Sequence, residues 1–269
     1  MNTLRLERDG HVGRLVLDRP DKLNSFTAEM WDELRTLGQE LVADPGDLRA
    51  LIVTGEGRAF SSGIDTSVFT TGSGLNVPDA GARDANPLVD MVLRTQESYS
   101  WLETAPFATI AAVRGYALGA GLQIALACDM RIFARGANVG LLEFKYGIIP
   151  DLGGTQRLPR LVGPGKAKEM IFTSARIDAD EAYRIGLCEQ LVSDEELNEA
   201  AEKLAEKIAG QPPLAIAAAK RAVNASLDEK IDDGLRIEAE GQAACLPSDD
   251  MKEAIAAFVE QRSPVYRNR

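Results

Sequence analysis

Short alternating runs of apolar and polar residues open the chain. The stretches "TLRLER" and "GRLVLD" flank "DGHV", in which Asp9-Gly10 is a strong turn signal. This pattern predicts a β-hairpin. After the hairpin, Thr27 is placed to cap a helix that runs to about Ala43, with Glu29 in its first turn, where a helix favours negative charge.

Three apolar, largely β-branched runs follow at 47–55, 107–115 and 130–136, and each is typical of a strand buried on both faces. Helical spacing appears between them at 87–105 and 120–128. Strands that alternate with helices predict right-handed crossover units in a mainly parallel sheet, hence an α/β fold. The stretch 70–86 is rich in Gly, Asp and Asn and is predicted to be the most mobile part of the chain.

From about residue 194 the pattern becomes helical throughout. Stretches such as "DEELNEAAEKLAEKIAG" and "SDDMKEAIAAFVEQR" have helical periodicity and are separated by Pro, Asp or Gly. We therefore predict an α/β core over residues 1–193 and a C-terminal helical region over residues 194–269.

Composition narrows the class of protein. With 269 residues, 45% of them hydrophobic, one main domain with an appendage is expected. The net charge of −11 argues against binding to nucleic acid or an anionic membrane, since both need a basic surface. The first ten residues lack the apolar core of a signal peptide, and no apolar run approaches the ~20 residues of a membrane span. A soluble, cytoplasmic protein is expected.

The residues that usually carry nucleophilic or metal chemistry are scarce. His11 is the single histidine and belongs to the predicted hairpin turn, so a Ser-His-Asp or Cys-His site is not expected. Cys128, Cys188 and Cys245 have wide, unpatterned spacings, which indicate neither a disulfide framework nor a zinc site. We expect no metal and a reducing compartment.

Two glycine turns carry the main chemical signal. They lie in "VTGEGRAFSSGIDTS" (53–67) and "GYALGAGLQIALACD" (115–129), each directly after an apolar run. Such turns leave main-chain N–H groups unpaired, and two converging N–H groups can hold an oxygen that becomes negative during a reaction. The pattern lacks the lysine of a phosphate-binding P-loop. On spacing alone, the alternative is that the turns serve only to reverse the chain, which is the usual role of glycine turns in α/β proteins.

The ordered motifs resemble one family. "RAFSSGIDTS", "VRGYALGAGLQIALACDMRIFA" and "LLEFKYGIIPDLGGTQRLPRLVG" together look like the crotonase, or enoyl-CoA hydratase/isomerase, superfamily, and the likeness runs from "RPDKLNSFT" to "FVEQRSPVY". The resemblance implies a superhelical core of strand-strand-helix units and C-terminal helices that assemble a homotrimer or a dimer of trimers. It also implies substrates carried as coenzyme A thioesters, with no other cofactor.

The resemblance assigns site residues. The thioester carbonyl would be bound by the N–H groups of Ile64, after Gly63, and of Ala120, between Gly119 and Gly121. Further along the C-terminal region, charge or stacking for the nucleotide could come from Arg262, Tyr266 and Arg267. The coenzyme A channel would be lined by Lys22, Leu23, Ala59, Ser61, Asp65, Thr66 and Ser67.

The proton carriers depart from the family pattern. Hydratases of the family use two carboxylates, and these positions correspond to Gln123 and Glu143 here. An amide can orient water but cannot exchange a proton near neutral pH. Glu143 is flanked by apolar Leu142 and Phe144, which favours a raised pKa and a catalytic role. The alternative is a surface glutamate that pairs with Lys145.

Asp151 is the candidate for a second carboxylate in place of the one that is missing at position 123. It occupies a position at which the dienoyl-CoA isomerase branch resembles this sequence and has a catalytic aspartate, although that branch also has an aspartate at the position of Gln123. The alternative is that Asp151 caps a helix that opens at Leu152.

Three functions follow. The first is an acyl-CoA double-bond isomerase in which Glu143, alone or with Asp151, moves a proton while Ile64 and Ala120 hold the enolate. The second is a slow or specialised enoyl-CoA hydratase in which Gln123 positions water. The third is a non-catalytic acyl-CoA-binding or assembly protein. The serine proteases that share this fold are excluded by the placement of His11.

Overall fold

The structure is a computed structural model that describes residues 1–70 and 86–267, without the side chains of residues 69 and 70. The prediction of mobility for 70–86 lies outside these residues except at its two ends. The strands are β1 (Leu4–Asp9), β2 (Val12–Leu17), β3 (Ala50–Gly55), β4 (Ala108–Val113), β5 (Tyr116–Leu118), β6 (Met130–Ala134), β7 (Asn138–Gly140), β8 (Ile177–Asp178) and β9 (Gln190–Val192).

Helices alternate with these strands and then form the C-terminal part of the chain. Short 3-10 segments lie at Pro20–Lys22 and Glu143–Tyr146. The α-helices are α1 (Ala28–Ala43), α2 (Ser67–Thr70), α3 (Pro87–Thr104), α4 (Ala120–Ala127), α5 (Gly154–Val162), α6 (Pro164–Thr173), α7 (Ala179–Arg184), α8 (Leu197–Ala209), α9 (Pro213–Ala225), α10 (Ile231–Cys245) and α11 (Asp249–Glu260).

The main sheet has six strands in the order β1-β2-β3-β4-β6-β9. β1 and β2 form the predicted antiparallel hairpin, and every other neighbouring pair is parallel. A smaller sheet, β5-β7-β8, stands beside it. The carboxyl ends of β3 and β4 therefore lie together at one edge of the main sheet, and β5 follows β4 directly. The predicted α/β class is confirmed.

Both faces of the main sheet are buried. On β3, Leu51 and Val53 face the larger apolar core, whereas Ala50 and Ile52 face a second core. The second core is closed by an alanine-rich stripe on α8 that includes Ala201. Although α8 belongs to the predicted helical region, it thus packs on the sheet, because small side chains let a helix approach a flat surface closely.

α1 and α3 pack together over the larger core. α1 begins as predicted, since the Thr27 hydroxyl accepts a hydrogen bond from Met30 N at 3.3 Å. Fully buried Tyr99 on α3 packs edge-on against Phe26 at a ring-centroid distance of 5.5 Å. These aromatic contacts fix α3 beside the two glycine turns. No helix within residues 1–70 and 86–267 is long and apolar enough to cross a membrane.

Candidate active site

The two glycine turns lie against each other. Leu118 N donates to Ser61 O at 3.0 Å, which joins the second turn to the first. Gly63 has φ +103°, and a Cβ there would lie 2.8 Å from Leu118 O and 3.9 Å from Ala120 N. Only glycine tolerates both that backbone angle and that proximity. The turns thus meet at the point where the sequence predicts an oxyanion site.

The N–H groups of Ile64 and Ala120 are available at this junction. The main-chain bonds around Ile64 are made by its neighbours: Phe26 N donates to Gly63 O, and Asp65 N donates to Phe26 O. Ala120 is the first residue of α4, so its N–H has no acceptor within the helix. Neither N–H has an acceptor in the described part of the chain. Two such donors suit a developing oxyanion.

Gln123 and Glu143 are in direct contact. Gln123 Nε2 donates to Glu143 Oε1 at 2.8 Å, and Gln123 Oε1 accepts a hydrogen bond from Gly154 N at 2.9 Å. Gln123 is 1% exposed and Glu143 5% exposed. The alternative of a surface pair between Glu143 and Lys145 is therefore wrong: the glutamate side chain points inward, and the described residues show no ion pair between the two.

The environment of Glu143 favours its neutral form. Burial raises the pKa of Glu143 to about 7, and the nearby Asp151 adds to this, whereas the hydrogen bond from Gln123 opposes it. A Cβ at Gly119 would lie 3.2 Å from Glu143 Oε1, so the carboxyl group lies beside the turn that presents Ala120 N. A carboxyl group with a pKa near 7 can both accept and donate a proton at physiological pH.

Asp151 is half-buried next to this group. Burial raises the pKa of Asp151. Gln96 Nε2 donates to its main-chain oxygen at 2.6 Å and ties it to α3. α5 begins at Gly154 with Gly153 as its N-cap and without a side-chain cap, so the alternative that Asp151 caps this helix is wrong. Asp151 instead lines a cavity.

That cavity, the α3 cavity, has a volume of about 650 Å³. Its wall is mostly apolar and comes largely from α3, with polar atoms from Thr95, Gln96 and Asp151. Ile64 places the oxyanion turn at the same wall. Its lining residues are Trp31, Ile64, Val68, Leu88, Val89, Met91, Val92, Leu93, Thr95, Gln96, Ile148, Ile149, Asp151 and Leu152. The arrangement suits an apolar chain whose polar end reaches the glycine turns.

The loop of Lys22 and Leu23 is fastened to the first glycine turn. Ser62 N donates to Leu23 O at 2.9 Å. Asn24 adopts a left-handed conformation with φ 54°, and its amide donates to Ala59 O at 2.8 Å. Lys22 is exposed and makes no ion pair with any described residue. Its cation is thus held near the site and open to an anionic ligand. Sequence reasoning gave Asn24 no role, although Asn is the residue that best tolerates this backbone conformation after Gly.

The Asp65 carboxylate is held by hydrogen bonds and an ion pair within the protein. The N–H and hydroxyl of Ser67 and the guanidinium of Arg19 hold the pKa of Asp65 far below its usual range. Arg19 Nη2 approaches Asp65 Oδ2 at 3.0 Å, and the Ser25 hydroxyl donates to the same oxygen at 3.1 Å. Thr66 and Ser67 are exposed. The Asp65 carboxylate is thus committed to shaping the turn.

Ala59 and Ser61, which are predicted to line the coenzyme A channel, differ in whether their hydrogen-bond donors are free. Ala59 N–H has no acceptor in the described ranges. Ser61, by contrast, is fully buried: its N–H donates to Tyr116 O and its hydroxyl to Asn24 O. Its donors are used inside the protein. Gly121 is required for the same packing, since a Cβ there would lie 2.6 Å from Ser61 O.

The C-terminal candidates lie elsewhere in the chain. Arg262 is paired with Glu253 and Glu260, and Tyr266 O accepts a hydrogen bond from Arg49. Tyr266 lines a separate cavity of about 800 Å³ that shares no lining residue with the α3 cavity. The structure does not bring these residues to the glycine turns.

Comparison with known proteins gives one consistent result. The enoyl-CoA hydratase/isomerase family model matches residues 7–269. A short-chain-enoyl-CoA hydratase of Clostridium acetobutylicum is 37% identical over 271 residues, covering 100% of this chain and 99% of its own. A crotonyl-CoA hydratase of Syntrophomonas wolfei is 36% identical over 258 residues, covering 96% of this chain and 95% of its own.

Solved structures agree with the sequence matches. An enoyl-CoA hydratase from Bacillus anthracis has a TM-score of 0.88 at 34% identity and covers 99% of this chain and 100% of its own. A structure from Thermobifida fusca in complex with acetoacetyl-CoA has a TM-score of 0.81 at 37% identity. It covers 91% of this chain and 94% of its own. The predicted resemblance and the crotonase-like fold are confirmed: the chain belongs to the enoyl-CoA hydratase/isomerase family of enzymes, whose members are lyases or isomerases.

Proposed function

We propose that this protein is an acyl-CoA double-bond isomerase in which Glu143 is the proton carrier. The observation that carries the proposal is the 2.8 Å hydrogen bond from Gln123 Nε2 to Glu143 Oε1. Where the family's hydratases have a second carboxylate, this chain has an amide, and both ends of that amide are occupied by protein groups. Glu143 is the remaining proton carrier beside the oxyanion turn.

The steps follow from proton balance. In a 3-enoyl thioester, ionised Glu143 takes a proton from carbon 2, and the electron pair moves onto the carbonyl oxygen to form a dienolate. The N–H groups of Ile64 and Ala120 stabilise that oxygen, and each such donor is typically worth ~2.7–4 kcal/mol. Glu143 returns the proton to carbon 4, which leaves the conjugated 2-enoyl thioester and the original carboxylate. No cofactor beyond the substrate's coenzyme A takes part.

Recognition of coenzyme A is part of the proposal. The Thermobifida fusca relative was solved with acetoacetyl-CoA. Here the exposed cation of Lys22 and the free N–H of Ala59 lie on the loops that join the first glycine turn, where they would meet the nucleotide part of the ligand. The acyl chain would enter the apolar α3 cavity.

The test is direct. A 3-enoyl-CoA should be converted into the conjugated 2-enoyl-CoA, detected by its ultraviolet absorbance, faster than a 2-enoyl-CoA is hydrated. Glu143→Gln keeps an acceptor for Gln123 and should abolish the conversion while coenzyme A binding persists. Conversion that survives in Glu143→Gln would rule the assignment out.

One observation favours a second function, hydration. Asp151 brings a carboxylate to the α3 cavity, and its charge raises the pKa of Glu143. The named relatives are also hydratases. If Asp151 and Glu143 together held water, Asp151→Asn should lower hydration of crotonyl-CoA by about 10²-fold or more. If the protein is an isomerase that uses Glu143 alone, the same variant should leave double-bond transfer largely intact.

We also propose self-association as a homotrimer or a dimer of trimers. Large apolar side chains are exposed on the last two helices, including Ile231 at 75%, Phe258 at 85% and Val259 at 74%. Surfaces of this kind usually mark a protein–protein contact. Sedimentation equilibrium should give three or six times the monomer mass, and Phe258→Asp should lower it.

A further inference from the structure

The side chain of Gln123 connects two elements of the site. Its Oε1 accepts a hydrogen bond from the N–H of Gly154, the first residue of α5, and its Nε2 donates to Glu143. A main-chain N–H can only donate, so it determines which end of the amide is the oxygen. The Nε2 end must then face Glu143. The orientation of this amide is therefore fixed by its partners.

The two carboxyl oxygens of Glu143 are consequently not equivalent. Oε1 receives the N–H of Gln123 and lies beside Gly119. Oε2 is buried and accepts no hydrogen bond from any residue that the structure describes. When a carboxyl group is protonated, its proton resides on the oxygen that is not already receiving an N–H. Only Oε2 can hold a proton without displacing Gln123.

We propose that Gln123 is a positioning residue that holds Oε1 of Glu143, so that Glu143 exchanges protons with the substrate through Oε2. This inference rests on the proposed role of Glu143 as proton carrier. The proton passes from the substrate carbon to Oε2, the electron pair stays on the thioester as an enolate, and the proton later leaves from the same oxygen. Gln123 itself is unchanged throughout.

The groups around Glu143 determine how its pKa should respond to the loss of Gln123. The hydrogen bond from Gln123 stabilises ionised Glu143, while burial and the charge of Asp151 favour the neutral form. The charge of Glu143 also acts on Tyr99, but burial keeps the pKa of the Tyr99 hydroxyl well above the usual value, so Tyr99 stays neutral. Loss of the Gln123 donor should therefore move the ionisation of Glu143 to higher pH.

Two variants test the proposal. Gln123→Leu removes both hydrogen bonds, and Gln123→Met does so with a flexible side chain that adapts to the same space. Exchange of the carbon-2 protons of butyryl-CoA in heavy water should fall by about a hundredfold in both, because a displaced base loses its alignment. KM should be unchanged, and the acid limb of the pH profile should move upward. Gln156→Leu, on the exposed face of α5, is the matched control and should behave as wild type.

A readout that needs no turnover completes the test. Infrared difference spectra, with the Glu143 band assigned by its absence in Glu143→Gln, give the ionisation of this carboxyl directly. If Gln123→Leu and Gln123→Met leave both the exchange rate and this titration unchanged, the inference is overturned. Butyryl-CoA has no double bond, so a protein that exchanges its protons but isomerises no 3-enoyl-CoA would contradict the proposed function and not this inference.

Discussion

Gly119 and Glu143 lie so close together that a Cβ on the glycine would stand 3.2 Å from Oε1 of the glutamate. Gly119 also has φ +52° and ψ −120°, a backbone conformation that residues other than glycine rarely adopt. The same residue precedes Ala120, whose N–H is one of the two oxyanion donors. One glycine thus sets the distance between the proton carrier and the oxyanion turn.

We expect Gly119→Ala to lower kcat by about a hundredfold, since a base displaced by a few tenths of an ångström or more loses its alignment with the substrate. Backbone strain should also reduce the free energy of unfolding by roughly 1–3 kcal/mol. Steady-state kinetics and chemical denaturation measure the two effects. Gly165→Ala on α6, where a Cβ meets nothing within 4 Å, is the control and should leave both nearly unchanged.

The pH dependence of activity should report Glu143. The free enzyme needs the ionised carboxylate to take a proton, and the pKa of Glu143 is about 7. kcat/KM for proton abstraction should therefore rise with pH up to about 7 and then level off. A profile that is already flat at pH 5 would mean that another group is the base.

The free energy of unfolding should also depend on the ionisation of Glu143. It should fall with rising pH, whereas activity rises. Because folding raises the pKa of Glu143 from 4.5 to about 7, the protonated carboxyl stabilises the folded state. This contribution is complete below about pH 4.5 and is lost as the pH rises to about 7. Relative to wild type, Glu143→Gln should thus gain about 3 kcal/mol in the free energy of unfolding between pH 4 and pH 8. Urea denaturation at several pH values measures this, and a difference that does not change with pH would contradict it.

The elements that periodicity predicts well are the ones confirmed here. The hairpin, the Thr27-capped helix α1 and the strand β3 each have a continuous local signal over six or more residues. Strands β5, β7 and β8 have two or three residues each, too few for a period to be read. The position of α8 on the sheet depends on a surface formed by distant strands, chiefly β3, β4 and β6, which no local pattern encodes.

In the candidate site, too, the sequence identifies the residues, whereas their contacts are seen only in the structure. Ordered motifs suffice to single out Ile64, Ala120, Gln123 and Glu143. Their contacts are tertiary: Gln123 meets a residue 20 positions away on one side and Gly154, 31 positions away, on the other. Sequence therefore indicated that an amide stands at this position, and only the structure indicates what the amide binds.

Lys22 should affect binding more than chemistry. If its exposed cation meets a phosphate of coenzyme A, Lys22→Ala should raise KM for the thioester about tenfold with kcat unchanged, and the difference should shrink at high salt. Lys203→Ala, an exposed lysine on α8, is the matched control. A truncated thioester without the nucleotide should not distinguish Lys22→Ala from wild type; a KM effect that persists with it would place Lys22 elsewhere.

Gln123→Glu would convert the site into a pair of carboxylates. One oxygen of the new glutamate can still accept the Gly154 N–H, and the other would replace Nε2 at 2.8 Å from Glu143 Oε1. Two carboxyl groups at that separation cannot both be ionised, so they share one proton, and the pair can act as base and acid on a water bound beside it. Hydration of crotonyl-CoA should then rise by about 10²-fold or more, measured by loss of the conjugated enoyl absorbance. If hydration does not rise while the variant remains folded, the identity of residue 123 is not what limits hydration, and the surrounding geometry must exclude water from this site.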